Sequence, residues 1–211
     1  MNHSPLSVSF PALGRREVTA VFDGGELTSD AGLALLAAAD RRLGVSVALA
    51  DAFADGRQPA KVRYPAQEII AARSYAIACG YEEGNDFDRL RQDPGLKTVC
   101  GHLPESTLPL ASQEVISRFE HAPRKRELAA MGWALVDLAI AQLSPAETRI
   151  RIDVDSYDDP CHGSQQLALF NSHYGERCYL PLAACITGTD GVQRLLGAIL
   201  RPGNAGAAQG C

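Results

Sequence analysis

The stretch RIRIDVDS, residues 149–156, constrains the fold of this chain more than any other. Ile150, Ile152 and Val154 fall on one parity, and Arg149, Arg151, Asp153 and Asp155 on the other. A period of two with one apolar face is the signature of a half-buried β-strand. Two further β-like runs follow, RCYLPLAACITG (177–188) and VQRLLGAILRP (192–202), joined by the turn at residues 188–191. Upstream of residue 147 the apolar spacing is helical instead. The pattern predicts an α+β chain, with a mainly helical region over 1–145 and an antiparallel meander over 146–211.

The helical region is punctuated by caps and breakers. Residues 1–27 read as an extended lead-in, in which Val18, Ala20 and Phe22 alternate with Thr19 and Val21 before a turn at Asp23-Gly24-Gly25. Thr28-Ser29-Asp30 offers N-cap chemistry for a helix that Gly44 closes. Pro65 opens a second helix ended by Gly80, and a short one runs from Asp86 to stop at Asp93-Pro94. SQEVISRFEH is capped by Ser112, and a long helix over 126–143 ends at Ser144-Pro145. There are no internal repeats or low-complexity tracts.

Composition excludes several classes. No apolar run is long enough to span a bilayer, and the N-terminus lacks the basic-then-apolar pattern of a secretory leader, so the cytosol is the expected compartment. The six cysteines form no C-x-x-C pair and are expected to be free thiols. Cys161, His162, His173 and Cys178 lie close in sequence, but their spacing matches no standard structural zinc pattern. The net charge of −5 runs against the basic excess usual in nucleic-acid binders. Basic residues are nonetheless clustered, at Arg124-Lys125-Arg126, Arg15-Arg16 and Arg41-Arg42.

The candidate chemistry lies at the end of the first sheet strand. Asp153 and Asp155 share a face, and two oxygen-donor carboxylates suit a hard divalent cation such as Mg²⁺ (or Mn²⁺). Such an ion commonly serves phosphoryl transfer. Asp158 and Asp159 follow as candidate outer partners. Acidic residues at a strand end also serve simply as solvated caps, so the pattern by itself leaves both readings open.

The blocks DVDSYDDPCHGSQQ, FNSHYGERCYLPL and LRPGN, in that order, resemble the signature of DDE transposases of the insertion-sequence 1380 family. The earlier blocks LTSDAGLALL, YAIACGYEEGNDFDRLRQDPGLK and LASQEVISRFE resemble it too, so the likeness covers roughly residues 20 to 210. The resemblance implies a ribonuclease H-like catalytic fold whose first strand carries the first catalytic aspartate. Asp155, followed by Ser156, is the favoured catalytic and metal-ligating residue, with Asp153 the runner-up. It further implies that the complete enzymes of the family use Mg²⁺ (or Mn²⁺), with water and then a DNA 3′-hydroxyl attacking phosphodiesters.

LASQEVISRFE resembles the second helix of a helix-turn-helix, which makes Ser112, Gln113, Ser117 and Arg118 candidate DNA contacts. The same stretch also reads as an ordinary capped helix packing Val115, Ile116 and Phe119 inward. His162, Gly163, Gln165, Asn171, Tyr174 and Tyr179 belong to the matched blocks and fit either a site-shaping or a structural role, while Gly203 and Asn204 fit a turn. The family's second aspartate and its glutamate are expected beyond LRPGN, so the resemblance implies a truncated or frameshifted copy with an incomplete acidic triad. It would bind the inverted repeats of an insertion element, and its protein partner would be a second copy or a full-length transposase. The alternatives are a non-catalytic DNA- or protein-binding remnant that pairs with such a transposase, and a metal-dependent nuclease using only the residues present. An incomplete sheet is expected to leave an apolar face and an unpaired edge.

Overall fold

The computed structural model describes residues 7–13, 15–21, 27–206 and 209. Helices and antiparallel sheets coexist, as the alternation in sequence period predicts, so the chain is α+β. The chain packs as two compact units, each made of two separate stretches of sequence. One comprises residues 1–39 and 71–119, the other 40–70 and 120–211. Among the described residues no helix is long and apolar enough to cross a membrane.

The first unit begins with an antiparallel hairpin of β1 (Ser7–Leu13) and β2 (Arg16–Val21), pairing Ser7 with Val21 and Phe10 with Val18. The extended lead-in is therefore a paired ribbon; the proposed turn at residues 23–25 lies outside the described residues. Helix α1 (Leu33–Leu43) starts later than its Thr28 signal, because Thr28 is spent elsewhere. Its hydroxyl donates to Asp93 Oδ1 at 3.1 Å and accepts from the Asp30 N–H. The short helix expected from Asp86 does stop before Asp93-Pro94, and the same pair starts the next helix: Asp93 accepts from Leu96 N–H at 2.7 Å and caps α5 (Pro94–Val99), with Pro94 at the first turn. The helix that follows is hidden in sequence because proline at the first helical position and proline after a helix look alike, and Pro94 is both.

Tyr81 donates to Asp30 at 2.9 Å, and Arg73 of α3 (Ala66–Ala78) donates to the carbonyls of Tyr81 and Glu82. Phe87 of α4 (Phe87–Leu90), Leu96, Leu110 and Ile116 of α6 (Gln113–Glu120) are fully buried and form the core of this unit. Lys97 is buried among them, its ammonium donating to the carbonyls of Pro104, at 2.8 Å, and Ser106.

In the second unit Gly44, at φ 74, ends α1 as expected, but a further helix, α2 (Val45–Ala52), follows at once. The Asp40 carboxylate accepts from Ser46 N–H at 2.9 Å and supports that restart. Helix α2 packs on α7 (Lys125–Ala141), and α7 packs on the last strand of the main sheet. That sheet has the order β3-β7-β8, from β3 (Arg151–Ser156), β7 (Leu182–Thr187) and β8 (Gln193–Ile199), antiparallel throughout. The antiparallel order of the expected meander is present, but residues 157–181 intervene between its first two strands.

The sequence did not reveal a second sheet in this unit, ordered β4-β6-β5, from Asp159–Pro160, Leu169–Asn171 (β5) and Glu176–Tyr179 (β6). The run 177–188 is accordingly not one strand. It divides at Leu180-Pro181 into β6 and β7, which belong to different sheets. Proline has no N–H for a ladder bond, so a central strand ends where it occurs.

Candidate functional site on the first strand of the main sheet

Strand β3 pairs with β7 over its whole length, placing Asp153 opposite Cys185 and Asp155 opposite Ala183. On the far side of β7, Ala183 pairs with Ala198 of β8. Asp155 therefore heads a row of two alanines, and small side chains leave its carboxylate approachable. Alternation sends Asp153 and Asp155 to one face and Val154 to the other. Val154, with Leu182 and Ala184, lines an apolar trough of about 820 Å³ whose other wall is α7, through Leu128, Met131 and Leu135. The acidic face is thus the one turned away from the helical layer.

The two aspartates differ in their surroundings. Asp153 is partly buried and accepts from Arg151 Nε at 2.9 Å, an in-strand ion pair two residues apart. The Asp155 side chain is exposed, and among the described residues its carboxylate has no hydrogen-bond or ion partner. Asp158 and Asp159 do not close around them: among the described residues, no three His, Cys, Asp or Glu side chains converge as a metal cage would require. Two oxygen donors on one face nonetheless fit the demand of Mg²⁺, which keeps several waters and takes one or two carboxylates. The same finding leaves Cys161, His162, His173 and Cys178 without a zinc-like grouping.

The candidate DNA-contacting residues lie on α6 and its start, in the other compact unit. Ser112 precedes the helix, and its carbonyl accepts from Ile116 N–H. Gln113 and Ser117 are half-buried, Arg118 is exposed, and its Nε donates back to the Glu114 carbonyl at 3.3 Å. The preceding helix, α5, is separated from α6 by residues 100–112, a longer connection than the three or four residues of a helix-turn-helix. Ile116 faces the core, as the packing reading expects.

Several motif residues hold the second sheet together. Asn171 donates to the Gly203 carbonyl at 2.7 Å and accepts from the His173 and Tyr174 N–H groups, closing the turn after β5. The Tyr179 hydroxyl donates to the Gln166 carbonyl at 2.5 Å. Arg201 is buried and donates to the carbonyls of Leu180, at 2.9 Å, and Gln209, at 2.6 Å. Gly203 is more than a turn residue: a Cβ there would sit 2.1 Å from the Cys178 carbonyl oxygen and 2.3 Å from that of Leu169. His162, Gly163 and Gln165 lie exposed between β4 and β5.

The alanine row beside Asp155 was missed from sequence. Its signal was available in LAACIT, where Ala183 shares a parity with Cys185, but choosing the partner of Asp155 needs the strand register.

No curated protein and no solved structure matches the chain. A family model described as Transposase DDE domain group 1 matches residues 10–211. DDE transposases generally use divalent metal ions, the chemistry that paired carboxylates on a strand can serve. With nearly the whole chain matched, the protein belongs to the transposase DDE domain group 1 family.

Proposed function

We propose that Asp155, assisted by Asp153, is the first acidic ligand of a metal-dependent phosphoryl-transfer site acting on DNA at the ends of an insertion element. The observation that carries this reading is the exposed, unpartnered Asp155 on the face turned from α7, beside the small side chains of Ala183 and Ala198. Asp155 and Asp153 would hold Mg²⁺ or Mn²⁺, which supplies Lewis-acid polarisation of a phosphodiester. Asp153 contributes once its carboxylate turns from Arg151, and Arg151 then offers positive charge beside an incoming phosphate. In this reading the three-stranded sheet is the beginning of a ribonuclease H-like catalytic domain related to the insertion-sequence 1380 transposases, and the helical region contributes to DNA binding. Ser112, Gln113, Ser117 and Arg118 are its proposed contacts.

Mn²⁺ binding, followed by electron paramagnetic resonance on the full chain, tests the site directly. The Asp155→Ala variant loses bound Mn²⁺ and Asp153→Ala weakens it. Unchanged binding in the double variant would remove the assignment. On the DNA side, Arg118→Ala should weaken binding to element-end DNA and lower the salt slope of affinity by about 1. An unchanged slope would return α6 to a purely structural role.

A further inference from the structure

We propose that Arg151 is a positioning residue that couples the two ligands of this site: it holds Asp153 from the cation until a phosphodiester takes its guanidinium. Residues two apart on a strand share a face at a spacing of about 7 Å, within reach of a long side chain. Arg151 accordingly reaches Asp153, where its Nε donates at 2.9 Å. Asp155, about 13 Å from Arg151 along the strand, keeps its carboxylate free. The neighbouring strands bring no other charge to this face. Thr187, Cys185 and Ala183 of β7 stand opposite Arg151, Asp153 and Asp155, and Gln193, Leu195 and Ala198 of β8 stand beyond them. Among the described residues of the sheet, Arg151 is thus the one cation on the acidic face, and it neutralises one of two carboxylates.

The pair is easily displaced. The Arg151 side chain is 71% exposed and that of Asp153 32%, and ion pairs so open to water contribute little. A phosphodiester offers the guanidinium two oxygens in the fork geometry that it binds best. Once Arg151 turns to the phosphate, Asp153 and Asp155 face the cation together. Conversely, a cation that takes Asp153 frees Arg151 for the phosphate. Each ligand therefore raises the affinity of the other, and by the same factor. The strength of an exposed pair sets that factor at about two- to fivefold.

The coupling rests on the metal-site reading above and adds a regulation of that same site. The strand takes its cation more readily when a phosphodiester is present.

Paramagnetic broadening of the Asp155 amide by Mn²⁺, followed by NMR on the full chain, reads occupancy at this strand. Salt at about 0.15 M screens more distant charges. Arg151→Gln should lower the Mn²⁺ midpoint by about two- to fivefold. In an Asp153→Asn background the same substitution should leave the midpoint where it is, because the carboxylate it releases is gone. With dimethyl phosphate replacing chloride at constant ionic strength, the wild-type midpoint should fall as the Arg151 Nε–H signal shifts. The Arg151→Gln midpoint should stay. Equal gains in the two backgrounds would make Arg151 a diffuse charge and overturn the proposal. A wild-type midpoint, or an Arg151 Nε–H signal, indifferent to the phosphodiester overturns it as well. That arm uses the unmodified chain and decides even where a variant fails to fold. No broadening of Asp155 in either wild type or Arg151→Gln would instead remove the metal-site reading, and the coupling with it.

Discussion

Asn171 donates to the carbonyl oxygen of Gly203 at 2.7 Å, joining two motif blocks that stand 32 residues apart in the chain. The bond lies between the turn after β5 and the segment following β8, and Gly203 approaches both β5 and β6 there. The motif residues around it are thus explained by packing before any role in catalysis is invoked.

Gly203 tolerates no side chain. A Cβ would overlap two backbone carbonyl oxygens, neither of which can rotate away. Gly203→Ala should cost about 1–3 kcal/mol, the usual range for overpacking a close contact, read from urea unfolding. A midpoint equal to that of the wild type would show that the approach relaxes freely.

Asp93 serves two partners at once, capping α5 through Leu96 N–H and accepting from Thr28. Asp93→Ala should destabilise the first unit by about 1–2 kcal/mol. Thr28→Val, which removes the bond to Asp93 and the acceptor of the Asp30 N–H but leaves the α5 cap in place, should cost less. Thermal unfolding of both variants checks the order, and the reverse order would contradict the capping role.

Lys97 holds two loop carbonyls from inside the core. Lys97→Met keeps most of the volume but leaves those carbonyls without the donor, and should cost about 1–3 kcal/mol. Amide hydrogen exchange over residues 102–108 should accelerate in the same variant. Unchanged protection there would mean that the loop stands without the ammonium.

The hydrogen bond from Arg194, reinforced by the Val192 N–H, holds the Asp190 carboxyl down at about 2, against an ordinary value of 3.8. A carboxyl whose folded value is depressed adds stability above its unfolded value and loses it as pH falls toward the folded one. The contribution should therefore fade between about pH 4 and pH 2. Arg194→Gln should return Asp190 toward 3.8, measurable by carbon-13 NMR titration, and should flatten the stability profile over that window.

The strand carrying Asp153 and Asp155 was legible because its alternation is strict and its two faces differ in chemistry. The meander was legible because Gly188 to Gly191 marks the β7–β8 turn. Pro181 is readable as a break, yet the run around it reads as one strand because both flanks are apolar. The short strands β4 and β5 have too few residues to show a period at all. Helix α2 escaped notice because VSVALADA is equally apolar as strand or helix, and the Asp40 cap that decides it acts across the preceding Gly44. In the site, the shared face of the two aspartates followed from parity. Their inequality did not, because it depends on which carboxylate Arg151 reaches, and Arg151 reaches Asp153.

The division at Pro181 sets a measure as well as a boundary. Only Leu180 and Pro181 separate β6 from β7, and β6 is clamped by Arg201 to the Leu180 carbonyl and by Gly203 seated against Cys178. The phase of β7 is thereby dictated from the neighbouring sheet, and with it the choice of Ala183 as the residue facing Asp155. The small sheet works as a ruler for the acidic strand. Its surface can drift in sequence, but inserting one residue between Cys178 and Ala183 would invert β7 and present the wrong parity to Asp155.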